Sequence, residues 1–163
     1  MLPQFIAIAA CDPHGTMGLQ GSLPWEEPED IEHFRRSVKG EVMVMGYKTY
    51  RAMPASVLHE SINLIFTKNH AEDVLQGTPI FDLEALCVFY ATHPELLLRK
   101  NFVIGGAEIF TLFFEEGLIS RAIITHINKQ YAGDVFFPLH FLTSWKKSPI
   151  SWTKTFSIVD YIK

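Results

Sequence analysis

Cysteine is scarce in this chain: Cys11 and Cys87 are the only two in 163 residues. Two are too few for a disulfide framework, and Cys11 stands in an apolar run where a buried, reduced thiol is the usual state. A cytoplasmic setting is expected. Long apolar runs are missing as well, since none approaches the roughly 18 residues a membrane span needs. The opening Met1-Leu2-Pro3-Gln4-Phe5 has no basic segment of a secretory leader. A soluble protein with no membrane partner is expected. Positive charge is in deficit, with 14 Lys and Arg against 18 Asp and Glu and a formal net charge of −4. That balance argues against a nucleic-acid partner, and an anionic ligand would need cations placed locally. No repeat, low-complexity tract, metal-spaced Cys/His cluster or serine nucleophile elbow occurs, so metal and acyl-enzyme chemistry are disfavoured and no metal is expected.

What is present is a globular composition: 48% hydrophobic residues, 20% charged residues and thirteen Phe. One domain over residues 1–163 is expected, long enough to bury roughly two-thirds of its surface without staples. Phe5 to Ala10 is continuously apolar and reads as a central strand buried on both faces, with Ala7, Ala9 and Ala10 leaving room for something flat. Residues 12 to 23 carry three glycines and a proline without periodicity, so a long loop, often a functional lid, should follow. Pro28 opens a helix that ends near Lys39-Gly40. Further strands are predicted at 41–45, 63–67, 78–81, 102–104, 121–127, 134–137 and 156–162, the last after a turn near Pro149. Helices open at Lys48, after the Asp82 cap, and at Ala107. The alternation implies right-handed crossovers and an α/β fold. Its sheet should be a mostly parallel, twisted one of eight strands, with flanking helices and an antiparallel C-terminal strand.

The chemistry centres on residues 23 to 34, Leu-Pro-Trp-Glu-Glu-Pro-Glu-Asp-Ile-Glu-His-Phe. Asp30, Ile31 and Phe34 lie at i, i+1 and i+4, so a carboxylate shares a helix face with an aromatic ring. Among Leu23, Trp25, Ile31 and Phe34 that carboxylate must be exposed, paired or awaiting a ligand's donors. An acidic first turn serving only the helix dipole is the plainer alternative, because Glu27, Glu29 and Glu32 surround it. Two strand-to-helix junctions, Gly46-Tyr47-Lys48-Thr49 and Gly105-Gly106-Ala107-Glu108, place free backbone N–H groups at helix N-termini. Neither is a Rossmann fingerprint, and each alone could be turn geometry. Two together, with Lys48 and Lys68 nearby in sequence, favour a ligand with several phosphates.

The order of these motifs resembles dihydrofolate reductase, of the bacterial type in having Asp as its acid. The carriers are the apolar first strand, Leu23-Pro24-Trp25, Asp30 with Phe34, Met45-Gly46-x-x-Thr49, Ile104-Gly105-Gly106-Ala107, Thr125-His126-Ile127, Gly133-Asp134 and Phe137-Pro138. The resemblance implies reduction of 7,8-dihydrofolate to tetrahydrofolate with NADPH, in one-carbon metabolism, by a cytoplasmic monomer. It also implies roles. Asp30 would bind the pterin, Thr125 would bridge its carboxylate to the pterin amino group, and Trp25 would hold a water beside it. Leu23 and Met17, with Gly18, would lie on a mobile loop over pterin and nicotinamide. Ile6, Ala7, Ile31, Phe34, Arg35 and Ile104 would contact substrate. Ala9, Gly46, Tyr47, Lys48, Thr49, Thr67, Lys68, Ile104 and the turn Gly105-Gly106-Ala107 into Glu108, Ile109 and Phe110 would hold the cofactor. The Gly105-Gly106 bond would be cis, and His126 is read as structural.

Departures from the family pattern stand beside these expectations. Tyr47 and Glu108 occupy positions where an arginine is common, so phosphate binding looks weakened; NADPH is still expected over NADH, with Lys68 supplying charge. Ser61 stands where an arginine usually grips the substrate's glutamate tail. Arg35, about 7.5 Å further along the helix axis than Asp30, is the expected substitute, and His59 is the other cation in reach. The acids around Asp30 should raise its pKa by like-charge repulsion. Only eighteen residues follow Trp145, so the terminal hairpin loop is expected to be short. Two alternatives remain open: a ribosylamino-pyrimidine reductase of riboflavin synthesis on the same fold, and a non-catalytic nucleotide-binding relative.

Overall fold

The computed structural model describes every residue except Leu19 and Gly21. Those two fall within the segment 12 to 23 read as a loop, and that part of the reading lies outside the described residues. In chain order the elements are β1 (Phe5–Cys11), β2 (Thr16–Gly18), α1 (Pro28–Val38), β3 (Val42–Gly46), α2 (Tyr47–Ala52) and α3 (Ala55–His59). Then come β4 (Ile62–Phe66), β5 (Thr78–Ile80), α4 (Leu83–Thr92), β6 (Asn101–Gly105) and α5 (Ala107–Glu115). The chain closes with β7 (Ile119–Ile127), β8 (Val135–Phe136), β9 (Lys146–Trp152) and β10 (Phe156–Ile162).

The main sheet has eight strands in the order β5-β4-β3-β6-β1-β7-β10-β9. Pairing is parallel from β5 through β7, and antiparallel where β10 joins β7 and β9. Apolar runs such as Val42-Met43-Val44-Met45 suit the central strands because both faces are covered. Side chains alternate across the sheet: Val42 and Val44 join Phe5, Ala7 and Cys11 in the core under α4 and α5, while Met43 and Met45 join Ile8, Trp25 and Val38 in the core under α1 and α3. Asp82 caps α4 as read, its Oδ1 accepting the Ala85 N–H at 2.9 Å.

Three local readings are corrected. Segment 12 to 23 is not all loop, because β2 pairs with β8, Thr16 opposite Phe136 and Gly18 opposite Val135. The strand read at 134–137 therefore forms a small separate sheet instead of joining the main one. Gly133 makes this approach possible, since a Cβ there would overlap Thr16 Cγ2 and stand 2.7 Å from the Gly18 carbonyl oxygen. The eighth strand is instead β9, exposed along its whole length and so without the apolar alternation that marks a strand in sequence. Pro149 lies inside β9 opposite Val159, beside a register shift, and not in a turn. The short helix α3 also went unread. Both outermost strands hold a proline, Pro79 in β5 and Pro149 in β9.

Candidate active site

The first turn of α1 and the C-terminal half of β7 create the centre of the site. Pro28 at the start of α1 fixes the backbone without needing an N–H partner. Two residues on, Asp30 turns inward and is 8% exposed. Thr125 on β7, opposite Ala10 of β1, donates its hydroxyl to Asp30 Oδ1 at 2.6 Å. No salt bridge reaches Asp30 among the described residues. Burial pushes the Asp30 pKa above the ordinary carboxylate value; the Thr125 bond and His33 oppose the rise and Glu27 adds to it. The direction expected from sequence holds, but its cause is corrected. Burial leads, and Glu26, Glu29 and Glu32 face water, where their charge is screened.

Around this carboxylate, Ile6, Ala10, Phe34 and Ile104 pack against the cluster holding Trp25 and Ile8. Trp25 is buried, its indole Nε1 has no hydrogen-bond partner among the described residues, and its ring packs tilted against Tyr131 with centroids 5.6 Å apart. Ile31 and Leu23 are half exposed at the rim. Ala7 and Ala9 are corrected as slot residues: strand alternation turns both side chains into the opposite core, and only Ala10 of the three small residues faces Asp30. Met17, too, packs toward that opposite core, and Gly18 accepts the Asp134 N–H at 2.9 Å.

The two glycine junctions converge. A Cβ on Gly46 would come 3.3 Å from Ile109 Cγ1 and 4.0 Å from Gly106 N, and one on Gly106 would come 3.7 Å from Thr49 Oγ1. The Gly105-Gly106 peptide is cis and Gly105 has φ +120°. Among the described residues neither α2 nor α5 has a side-chain cap, so the N–H groups of their first turns are left without a capping partner. Lys48 and Lys68 are exposed, as is the opposing charge of Glu108. Lys68 Nζ stands 5.2 Å over the Phe81 ring. Thr67 Oγ1 accepts the His70 N–H at 3.0 Å, which engages it in a turn. Phe110 is corrected as a cofactor contact: its side chain is fully buried beneath Gly105 and its N–H donates to the Gly106 carbonyl.

On the far side of Asp30, Arg35 pairs with Glu60 at 3.7 Å, both side chains over a third exposed. Ser61 donates to the Val38 carbonyl, and His59 meets Gln76 at 2.8 Å. Sequence reasoning missed four residues near these groups: Asp12, Tyr131, His33 and His70. His70 lies flat on Tyr47, centroids 4.4 Å apart at 9°. Its only sequence signal was a polar turn after β4. His33 stands one turn beyond Asp30, with a spacing that could have been read.

Residues 4–155 match the family model described as dihydrofolate reductase. The chain is 32% identical over 144 residues to the dihydrofolate reductase of Lactococcus lactis subsp. lactis (strain IL1403), with 83% of this chain and 79% of that protein covered. It is 26% identical over 163 residues to the dihydrofolate reductase HdrB of Haloferax volcanii, at 97% and 82% coverage. A bifunctional dihydrofolate reductase-thymidylate synthase of Paramecium tetraurelia is 28% identical over 162 residues. The chain spans only 33% of that protein's length, so nothing of its second activity carries over. A family match that runs from before β1 to the last hairpin, together with a 32% identical relative covered over most of its length, establishes that the chain belongs to the dihydrofolate reductase family.

Proposed function

We propose that this chain reduces 7,8-dihydrofolate to 5,6,7,8-tetrahydrofolate at Asp30, with NADPH as the reductant. The observation that carries the reading is the buried Asp30 carboxylate bonded through Oδ1 to the Thr125 hydroxyl. Its second oxygen remains for a ligand that presents N–H donors, as the pterin's N3 and 2-amino group do. An anion there favours the protonated ring and so the electron-poor C6 that accepts hydride. Asp30 orients and polarises; water delivers the proton to N5. The Trp25 Nε1, unpartnered among the described residues, supports a role in holding such a water beside the carboxylate.

The residues around Gly46 and Gly106 suit a pyrophosphate: two uncapped helix starts and space that a Cβ would fill. When bound, NADPH supplies the hydride. Thr49 and the backbone of Gly46, Gly106 and Ala107 would hold its phosphates, while Lys48, Lys68 and His70 would meet the charge on its adenosine end. Ile6, Phe34 and Ile104 keep the slot flat and apolar, which aligns stacked rings and excludes bulk water.

The proposal extends to a single-domain, monomeric, cytoplasmic enzyme with no nucleic-acid partner. The net charge of −4 supports the last point, and no helix is long and apolar enough to cross a membrane. Purified protein mixed with NADPH and dihydrofolate should lose nicotinamide absorbance. NADPH binding without turnover would point to a non-catalytic relative, and turnover only with a ribosylamino-pyrimidine would move the substrate.

A further inference from the structure

Asp12 is fully buried, and the chemistry above gives it no task. Its Oδ1 accepts the backbone N–H groups of His14 at 2.9 Å and Thr16 at 2.8 Å, and its Oδ2 accepts that of Tyr131 at 2.9 Å. Burial alone would drive the carboxyl toward protonation, but these donors outweigh it and hold the pKa below the ordinary value. Asp12 is therefore an anion solvated by amides.

The donors come from two segments far apart in sequence. His14 lies in the turn between β1 and β2 and Thr16 opens β2, the turn being closed further by the bonds from Asp12 N to Thr16 O and from Gly15 N to Asp12 O, both 2.9 Å. Tyr131 belongs to the connection between β7 and β8, where the Gln130 side chain also meets the His14 ring at 2.9 Å. Held by its backbone, Tyr131 lays its ring on Trp25 with an interplanar angle of 57°, and Lys129 Nζ sits 5.3 Å from the centre of the same ring.

We propose that Asp12 is a positioning residue for hydride transfer: by gripping the Tyr131 amide it sets the Tyr131 ring against Trp25, fixing the indole wall of the pterin slot and the root of segment 12 to 23 as one unit. The proposal rests on the reading of Asp30 as the pterin site. Only a carboxylate can do this with so few atoms, because both oxygens accept. An amide in its place must turn an NH2 donor toward either the Tyr131 N–H or the His14 and Thr16 pair. The Tyr131 contact to Trp25, in contrast, runs through the side chain and can be removed with the Asp12 bonds intact.

The test uses the full chain, dihydrofolate and NADPH, with the variants Asp12→Asn and Tyr131→Leu. Both should lower kcat by about tenfold or more, as small misplacements of a reacting ring do, with the KM for NADPH changed less than about twofold. In an NMR spectrum the amide proton left facing the new NH2 group, that of Tyr131 or those of His14 and Thr16, should move upfield in Asp12→Asn, whereas the His14 and Thr16 amide protons should stay in place in Tyr131→Leu. Wild-type kcat in Tyr131→Leu overturns the proposal, as does an Asp12→Asn variant that keeps kcat. A KM for NADPH that rises as much as kcat falls also overturns it, since general loosening gives that pattern. If Asp12→Asn fails to fold, Tyr131→Leu decides alone. An inactive wild-type chain overturns the functional reading and this inference together, whereas an active one with unimpaired variants overturns only this inference.

Discussion

Replacing Thr125 by valine tests one hydroxyl at the centre of the site. Thr125 is 2% exposed, and valine nearly matches its shape, so the space stays filled while the 2.6 Å bond to Asp30 Oδ1 disappears. A hydrogen bond to a charged acceptor contributes about 1.5–3 kcal/mol. That bond favours the ionised carboxyl, so its loss adds to the burial that already raises the Asp30 pKa. If Asp30 acts on the pterin as an anion, the same free energy leaves the transition state, which amounts to roughly a 10- to 150-fold fall in kcat/KM for dihydrofolate. The deficit relative to wild type should grow as pH falls, because a smaller fraction of the variant's Asp30 is ionised on the acid side. Steady-state kcat/KM across the neutral and acidic range measures this directly, with Thr125→Ser as the control that keeps a hydroxyl. A valine variant within about twofold of wild type at every pH, or a serine variant equally impaired, would refute the reasoning.

Asp30→Asn should cut turnover by orders of magnitude yet raise the melting temperature at neutral pH. The folded-state pKa of Asp30 is raised, so its favourable contribution is full below the unfolded pKa and is lost as pH rises through the folded value. Asparagine escapes that loss, adding roughly 2–4 °C for each kcal/mol relieved; thermal melts should show the gap closing below about pH 4. Lys68→Ala should raise the KM for NADPH much more than that for NADH, because Lys68 is exposed and its one contact among the described residues is the Phe81 ring; equal effects would remove it from the 2′-phosphate site. Arg35→Ala should raise the KM for dihydrofolate, while Ser61→Arg and Glu60→Gln lower it, the latter by freeing Arg35 from a 3.7 Å pair worth at most about 1 kcal/mol. None of the three should affect a dihydropterin lacking glutamate.

Strands with continuous apolar runs were readable from residues alone, because burial on both faces leaves no other use for such runs. The Asp82 cap was readable for an equally local reason. Asp30 was singled out by its apolar neighbours, but its partner Thr125 lies 95 positions away. No spacing argument spans that distance, and only the resemblance supplied it. Ala7 and Ala9 show a different limit: small size signals room, but the period of two decides which side of the sheet the room is on. Asp12 and Tyr131 stayed hidden because an aspartate in a polar turn looks like a turn former, and the amides that solvate it carry no side-chain signature. β9 stayed hidden because an edge strand exposed on both faces needs no apolar pattern.

The two prolines at the ends of the sheet decide where it stops. In β5 the Ile80 carbonyl points inward to the Thr67 N–H, so by alternation Pro79 faces outward. A strand approaching that edge meets a ring instead of a donor. At the other end Pro149 interrupts β9 beside a bulge, and Lys146 and Lys147 place two like charges on the same exposed edge. Each edge ladder is interrupted by a proline, which disfavours extension of the sheet by a second chain and edge-to-edge aggregation of the native state at both sides.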